Sequence, residues 1–183
     1  MSRIGSNPVP IAKGVDVKID GQNVSVKGPR GELKHVLPAG ISITSDGKQV
    51  VLNRSDDGDG QKSLHGLSRS LVSNMISGVS QGFSKSLDLV GTGYRVQAQG
   101  KNLALYVGFT HQVVLEPLGK NALSVEGQTR LVVSGPDKET VGRQAAEIRR
   151  IRPPNAYTGK GIRFAGEQVK LKPGKSAAKG TAA

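Results

Sequence analysis

The sequence contains no cysteine and no tryptophan, and it has only three tyrosines and three phenylalanines in 183 residues. The lack of cysteine excludes disulfides, thiolate metal sites and a cysteine nucleophile. No apolar run approaches the ~18 residues of a transmembrane helix, and the first residues lack the apolar centre of a signal peptide. We therefore expect a cytoplasmic protein with no membrane partner, whose core is built from Val, Leu, Ile and Ala.

Positive charge, in contrast, is in excess, and most of it lies near the C-terminal end. Residues 149–183 hold nine Lys and Arg and one acid, Glu167, so this segment carries +8 of the formal net charge of +12. Such an asymmetry is typical of proteins that bind a polyanion, above all a nucleic acid. The alternative is a solvated basic tail that only maintains solubility.

Alternating apolar and polar residues predict two similar β-hairpins, one around Gly21 and one around Gly100. The segments VDVKIDGQNVSVKG (15–28) and YRVQAQGKNLALYVG (94–108) align at an offset of 79 residues. Each hairpin is followed by further short strands and then by one helix. A repeat this long is typical of a duplicated domain rather than of a solenoid.

The first helix is predicted to start at Asp59, a possible N-cap. Its apolar face would be Leu64, Leu67, Leu71, Met75 and Val79. The second helix would follow Gly135-Pro136-Asp137 and end at Pro153-Pro154, because proline cannot continue a helix.

These patterns predict an α+β fold with two homologous domains made by internal duplication. Each domain would be a small, mostly antiparallel sheet packed on one helix, and a basic C-terminal extension would follow. The predicted domains are 1–82, in which 1–14 form an extended arm, and 83–152. The extension would be 153–183, with a flexible end after Lys175.

The basic segment is the predicted RNA-binding site. Its cations would neutralise phosphates, and its glycines would let the backbone approach a phosphate path. Tyr157 and Phe164 would either stack on unpaired bases or pin the segment to the second domain. The predicted RNA-binding residues are Arg149, Arg150, Arg152, Pro153, Pro154, Tyr157, Thr158, Gly159, Lys160, Gly161, Ile162, Arg163, Phe164, Lys170, Lys172 and Lys175.

Other motifs fail as sites for ligands or catalysis. The loop Gly91–Arg95 lacks the third glycine of a dinucleotide site, because Val96 stands there. Gly174-Lys175-Ser176 resembles the end of a P-loop, but Val169 stands where the first glycine of that motif must be. The acidic loop 56–60 lacks the final glutamate of a calcium loop, because Ser68 stands there. The three histidines, His35, His65 and His111, are scattered. We therefore predict no catalytic residues, no metal, no cofactor and no small-molecule substrate.

Several motifs together resemble the large-subunit ribosomal protein L-six family of bacterial type over nearly the full chain. They are Ser2-Arg3-Ile4-Gly5, VKGPRGEL (26–33), GTGYR (91–95), VGFTH (107–111), and Arg152-Pro153-Pro154 followed by YTGKGIRF (157–164). Asn155-Ala156 stand where that family often has Glu-Pro. Thr158 replaces a frequent Lys, and this removes one expected phosphate contact. Phe164 replaces a frequent Tyr, and this removes a hydroxyl donor.

The resemblance implies a structural protein that binds large-subunit (23S-type) rRNA mainly through its C-terminal domain and tail. It would lie among neighbouring ribosomal proteins at the base of the stalk, close to the sarcin-ricin loop where translational GTPases act. It would clamp RNA helices and shape the factor-binding region. The alternatives are a non-ribosomal RNA- or DNA-binding module, such as an RNA chaperone, and an enzyme acting on a phosphate-bearing substrate.

Overall fold

The computed structural model describes residues 5–175, in which one set of elements occurs twice. The first set comprises β1 (Val9–Pro10), β2 (Asp16–Asp20), β3 (Asn23–Gly28), β4 (Gly31–Val36), β5 (Ile41–Ser45), β6 (Gln49–Arg54) and α1 (Asp59–Ser80). The second comprises β7 (Phe83–Val90), β8 (Arg95–Gln99), β9 (Asn102–Tyr106), β10 (Val113–Leu115), β11 (Ala122–Glu126), β12 (Arg130–Gly135) and α2 (Lys138–Ile151). A last strand, β13 (Gly161–Phe164), follows α2.

The two predicted hairpins are confirmed, and they share one register. In the first, Asp20 pairs with Asn23, and in the second, Gln99 pairs with Asn102, which keeps the offset of 79. Gly21 and Gly100 take φ values of 59° and 65° in their two-residue turns. Glycine at the first central position matches a turn whose twist suits paired strands.

The first half of the chain has two three-stranded antiparallel sheets, in the orders β1-β6-β5 and β2-β3-β4. Its core combines Val24, Val26 and Leu52 with Val72 and Ile76 of α1. The predicted arm is partly a strand, because Val9 is buried and pairs with Val50. A two-residue strand is too short for alternation to reveal it in the sequence.

The buried face of α1 differs from the predicted face. Leu67 is 54% exposed, whereas His65, Ser68 and Val72 are buried. The buried stripe is therefore rotated relative to the predicted one, although Met75 and Val79 belong to both. The N-cap is Gly58 without a side-chain cap, so Asp59 is the first helical residue instead.

The second half has a three-stranded sheet, β10-β9-β8, and a four-stranded sheet, β11-β12-β7-β13. Its core combines Leu103, Leu105 and Leu131 with Val141 and Ile148 of α2. The predicted extension is thus not wholly appended, because residues 161–164 form β13 antiparallel to β7. The structure shows a duplicated α+β fold with one strand added to the second copy.

The described chain separates into two compact units. One ends at Phe83 and also includes Gly135–Lys138, and the other contains Ser84–Ser134 and continues from Glu139. Within residues 5–175, no helix is long and apolar enough to cross a membrane, and no cluster of three or more His, Asp or Glu side chains could hold a metal ion. The segment after Lys175, predicted to be flexible, lies outside the described residues, as do residues 1–4.

Candidate nucleic-acid interface

The segment after α2 forms a closed loop rather than a free tail. The Asn155 N–H donates to the Lys160 carbonyl at 2.9 Å, and the Gly159 N–H donates to the Asn155 carbonyl at 2.8 Å. The Ile162 N–H donates to the Arg152 carbonyl at 2.8 Å and joins the loop to β13. These bonds hold Lys160 at a fixed place beside the second sheet.

Asn155 also organises the loop through its side chain. Its Oδ1 accepts the backbone N–H groups of Tyr157 at 2.8 Å and Thr158 at 3.3 Å. Asn and Asp commonly stabilise turns in this way. In the sequence, Asn155 stood out only as a departure from the family pattern, although its turn propensity was a signal for this role.

Close backbone packing at Gly161 allows the loop to close. This glycine has a φ of 149°, and a Cβ built there would lie 2.6 Å from the Pro153 carbonyl oxygen and 2.7 Å from the Pro154 Cα. Both neighbours are backbone atoms that cannot rotate away. Only glycine fits this position without moving the chain.

The last described residues fold back onto the same loop. The Lys172 N–H donates to the Ala156 carbonyl at 2.8 Å, and Leu171 lies 3.3 Å from a Cβ built at Gly159. The Ala165 N–H donates to the Ser86 carbonyl oxygen at 3.0 Å and ties this part of the chain to β7. Lys172 is therefore held beside the loop, and Lys170, two residues earlier in the chain, is exposed.

Glu167 pairs with Arg149, and this pair secures the segment. The Arg149 guanidinium donates to both Glu167 carboxylate oxygens, at 2.5 and 3.2 Å, and the Phe164 N–H donates to the same carboxylate at 3.0 Å. The pKa of Glu167 is lowered, mainly by the hydrogen bond from Arg149 and next by the one from the Phe164 N–H. Because the Glu167 carboxylate neutralises the Arg149 guanidinium, Arg149 stabilises the fold of the segment, and its contact with RNA stays a prediction.

The two predicted stacking residues differ in environment. Phe164 is half-buried against the second core, with the Arg149 guanidinium 5.7 Å and the Lys85 ammonium 6.0 Å from its ring centroid. These contacts favour the interpretation that Phe164 pins the segment to the domain. Tyr157 is 60% exposed, so its ring is accessible from solvent.

The other predicted RNA-binding residues divide by burial. The exposed ones are Arg150, Arg152, Pro153, Thr158, Lys160, Lys170, Lys172 and Lys175. Pro154 and Arg163 are half-buried, and Arg163 lies opposite Asp88 in the register of β13 and β7, while the Asp88 carboxylate accepts a hydrogen bond from Arg130 at 2.7 Å. Gly159, Gly161 and Ile162 are buried, and the Ile162 side chain belongs to the second core. Because its side chain lies in the core, Ile162 is not presented to a ligand as the exposed members of the set are, and its assignment to the RNA-binding set stays a prediction.

A second loop, which the sequence did not predict, lies against this surface. The Arg152 guanidinium carbon lies 5.2 Å from the ring centroid of Phe109, and Phe109 stacks with His111. Both aromatic residues come from the connection between β9 and β10. The VGFTH motif was noted in the sequence, but nothing in its spacing indicated contact with Arg152.

These features define an internally duplicated α+β protein with a basic C-terminal loop built onto its second half. The family model described as Ribosomal protein L6 matches residues 11–82 and 90–165, two segments whose starts also differ by 79. The chain is 52% identical to large ribosomal subunit protein uL6 of Nostoc punctiforme over 176 residues, which cover 96% of this chain and 97% of that one. It is 49% identical to uL6 of Synechococcus elongatus over 179 residues, which cover 98% and 100%.

The chain therefore belongs to the ribosomal protein L6 family. This is a family of structural proteins, so the expectation that the chain is not an enzyme is confirmed. The prediction of two homologous α+β domains is confirmed as well, by the paired family matches and the repeated order of elements.

Proposed function

We propose that this protein is a structural constituent of the large ribosomal subunit in the cytoplasm, and that it binds 23S-type rRNA through its C-terminal loop. The observation that carries the proposal is a set of exposed cations at the end of α2 and on the hydrogen-bonded segment that follows it. They are Arg150, Arg152, Lys160, Lys170, Lys172 and Lys175. Membership of the L6 family supports large-subunit rRNA as the polyanion.

The geometry of the segment suits a specific RNA contact better than a generic solubility tail. Its backbone is tied internally by Asn155 and Lys160 and tied to the core by Ile162. A segment that is already ordered loses less conformational entropy on binding. Phosphate contacts from an ordered surface also fix the orientation of the protein on the RNA.

The position on the subunit is a further part of the proposal. Resemblance to the family supports a site near the base of the stalk and the sarcin-ricin loop, among neighbouring ribosomal proteins. Translational GTPases would act nearby. In that position the protein would clamp RNA helices together and shape the surface that these factors meet.

The test is a titration of large-subunit rRNA with the full-length protein across a salt series. Replacing Lys160, Lys170 and Lys172 together by Ala should weaken binding and lower the salt slope by about 2–3 log units of affinity per log unit of salt, since each phosphate contact contributes about 0.7–0.9. The matched control replaces Lys13, Lys18 and Lys48, three exposed lysines of the first half, and removes the same charge.

Equal losses in the two triple variants would show that the charge acts generically and would refute the proposed interface. Competition with an unrelated structured RNA separates the ribosomal function from that of a general RNA chaperone, because only a specific complex resists the competitor. Substitutions are preferred to removal of residues 153–183, since that deletion also removes β13 and the buried Ile162 side chain.

A further inference from the structure

A group of flat side chains lies beside the basic loop. The rings of Phe109 and His111 are nearly parallel, with an interplanar angle of 11° and centroids 5.7 Å apart. The Arg152 guanidinium carbon lies 5.2 Å from the Phe109 centroid. Phe109 is 38% exposed, and His111 and Arg152 are also exposed, so the group is at the surface.

The connection between β9 and β10 holds this group in place from both ends. Val107 is fully buried in the second core, and Gly108 has a φ of 77°. A Cβ at Gly108 would lie 3.3 Å from the Tyr94 ring. At the other end, the Tyr106 hydroxyl donates to the Gln112 side-chain oxygen at 2.9 Å. The loop tip is therefore anchored, while its aromatic side chains point away from the core.

Arg152 links this tip to the basic loop. Its carbonyl accepts the N–H of Ile162 in β13, and its guanidinium contacts Phe109. The aromatic tip and the proposed phosphate-binding cations thus come from distant parts of the sequence. Arg152 connects them, because it is one of those cations and also contacts Phe109. A phosphate bound by the cations would bring its own nucleotide and the next ones close to the tip.

We propose that Phe109, His111 and Arg152 form a stacking site for one unpaired nucleobase of the bound RNA. This inference rests on the proposed RNA-binding function and names a second contact of a different kind. Aromatic rings and guanidinium planes are the side chains on which unpaired bases stack in RNA complexes. Stacking tolerates any base, because every base has a π-face. The basic loop would position the RNA backbone, and the aromatic tip would hold a base that has left its helix.

The test uses Phe109→Leu, which keeps an apolar side chain but removes the π-face. Affinity for the large-subunit rRNA transcript should fall about 5- to 150-fold, the range for loss of one aromatic–base stack. The salt slope should not change, because no phosphate contact is lost. Base-specific chemical probing should show one unpaired base that wild type protects and that Phe109→Leu leaves reactive.

The control is Val114→Ala, which truncates an exposed apolar residue of the adjacent strand and should leave affinity and probing unchanged. Arg152→Lys is the second test variant, since it keeps the charge and loses the planar group. It should weaken binding with an unchanged salt slope, and it decides the question if Phe109→Leu does not fold.

The outcomes separate the two proposals. A wild-type protein that does not bind the rRNA transcript overturns both of them. Binding that depends on Lys160, Lys170 and Lys172 but is unaffected by Phe109→Leu and Arg152→Lys, with the same bases protected, overturns only the stacking site.

Discussion

Gly161→Ala tests whether the loop closure at β13 depends on close backbone packing. The new Cβ would lie 2.6 Å from the Pro153 carbonyl oxygen and 2.7 Å from the Pro154 Cα, at a φ of 149°. Since neither neighbour is a side chain, relief requires a shift of β13 or of the proline pair. A shift of β13 would carry Ile162 out of its buried position.

The expected cost follows from two contributions. A non-glycine residue in a sparsely populated φ region costs about 1–3 kcal/mol. Forcing an extra carbon into packed structure costs about 1–3 kcal/mol more. We therefore expect Gly161→Ala to reduce the free energy of unfolding by about 2–6 kcal/mol, a large share of the roughly 5–15 kcal/mol of a typical domain.

Gly166→Ala is the matched control. Gly166 also has a positive φ, 78°, but no atom lies within 4 Å of a Cβ built there. Only the backbone contribution of about 1–2 kcal/mol should appear. Because the two backbone contributions differ by no more than about 1–2 kcal/mol, a larger difference between the two variants measures the steric contribution at Gly161.

Urea unfolding followed by tyrosine fluorescence is the assay. The three tyrosines, Tyr94, Tyr106 and Tyr157, all lie in the second half of the chain, and there is no tryptophan, so the signal reports on that half. Equal destabilisation by Gly161→Ala and Gly166→Ala would refute the steric argument. A Gly161→Ala protein with wild-type stability would refute the described closure of the loop.

Three further substitutions test the segment and the first helix. Glu167→Gln should lower stability by about 0.5–1 kcal/mol near neutral pH, as expected for a partly exposed ion pair. The pKa of Glu167 is lowered in the folded state, so its contribution to stability is present above the unfolded pKa of about 4.5 and is lost as pH falls through the folded pKa. The free energies of unfolding of wild type and variant, measured by urea titration, should therefore converge in acid. A difference in stability that persists in acid would contradict this reasoning. In α1, Ile76→Ala should cost about 2–5 kcal/mol and Leu67→Ala less than about 0.5 kcal/mol, measured by urea unfolding followed by circular dichroism. A larger cost at Leu67 would show that the face predicted from the sequence is the buried one and would contradict the exposed position of Leu67.

Much of the fold follows from local signals in the sequence. Val24 and Val26 alternate with polar residues, and Gly21 supplies the positive φ of the turn, so the hairpin is specified within a few residues. The same local rules produce the second hairpin around Gly100. The duplication was detectable because both copies keep this pattern at one offset.

Other features depend on contacts that a local pattern does not encode. In β13, Ile162 is the only aliphatic side chain, so a basic motif conceals a core strand. The face of α1 was misplaced because leucines at 64, 67 and 71 have helical spacing, whereas the sheet packs on a neighbouring stripe that includes Ser68. The contact between Arg152 and Phe109 joins loops 43 positions apart in the sequence, which no spacing rule relates.

The two halves of the chain differ at one sheet edge, and the proposed RNA contact depends on that difference. In the described first half, β1 lies at the edge beside β6, whereas in the second half β7 lies beside β12 and carries β13 on its other side. Successive side chains of a strand face opposite ways, so burial of Ile162 directs Arg163 away from the core. A shift of β13 by one residue would turn Arg163 toward the core. Burying its guanidinium is costly unless a partner compensates the charge. The charges of the segment therefore help to fix the register of β13, and that register in turn sets the position of the loop that carries Lys160.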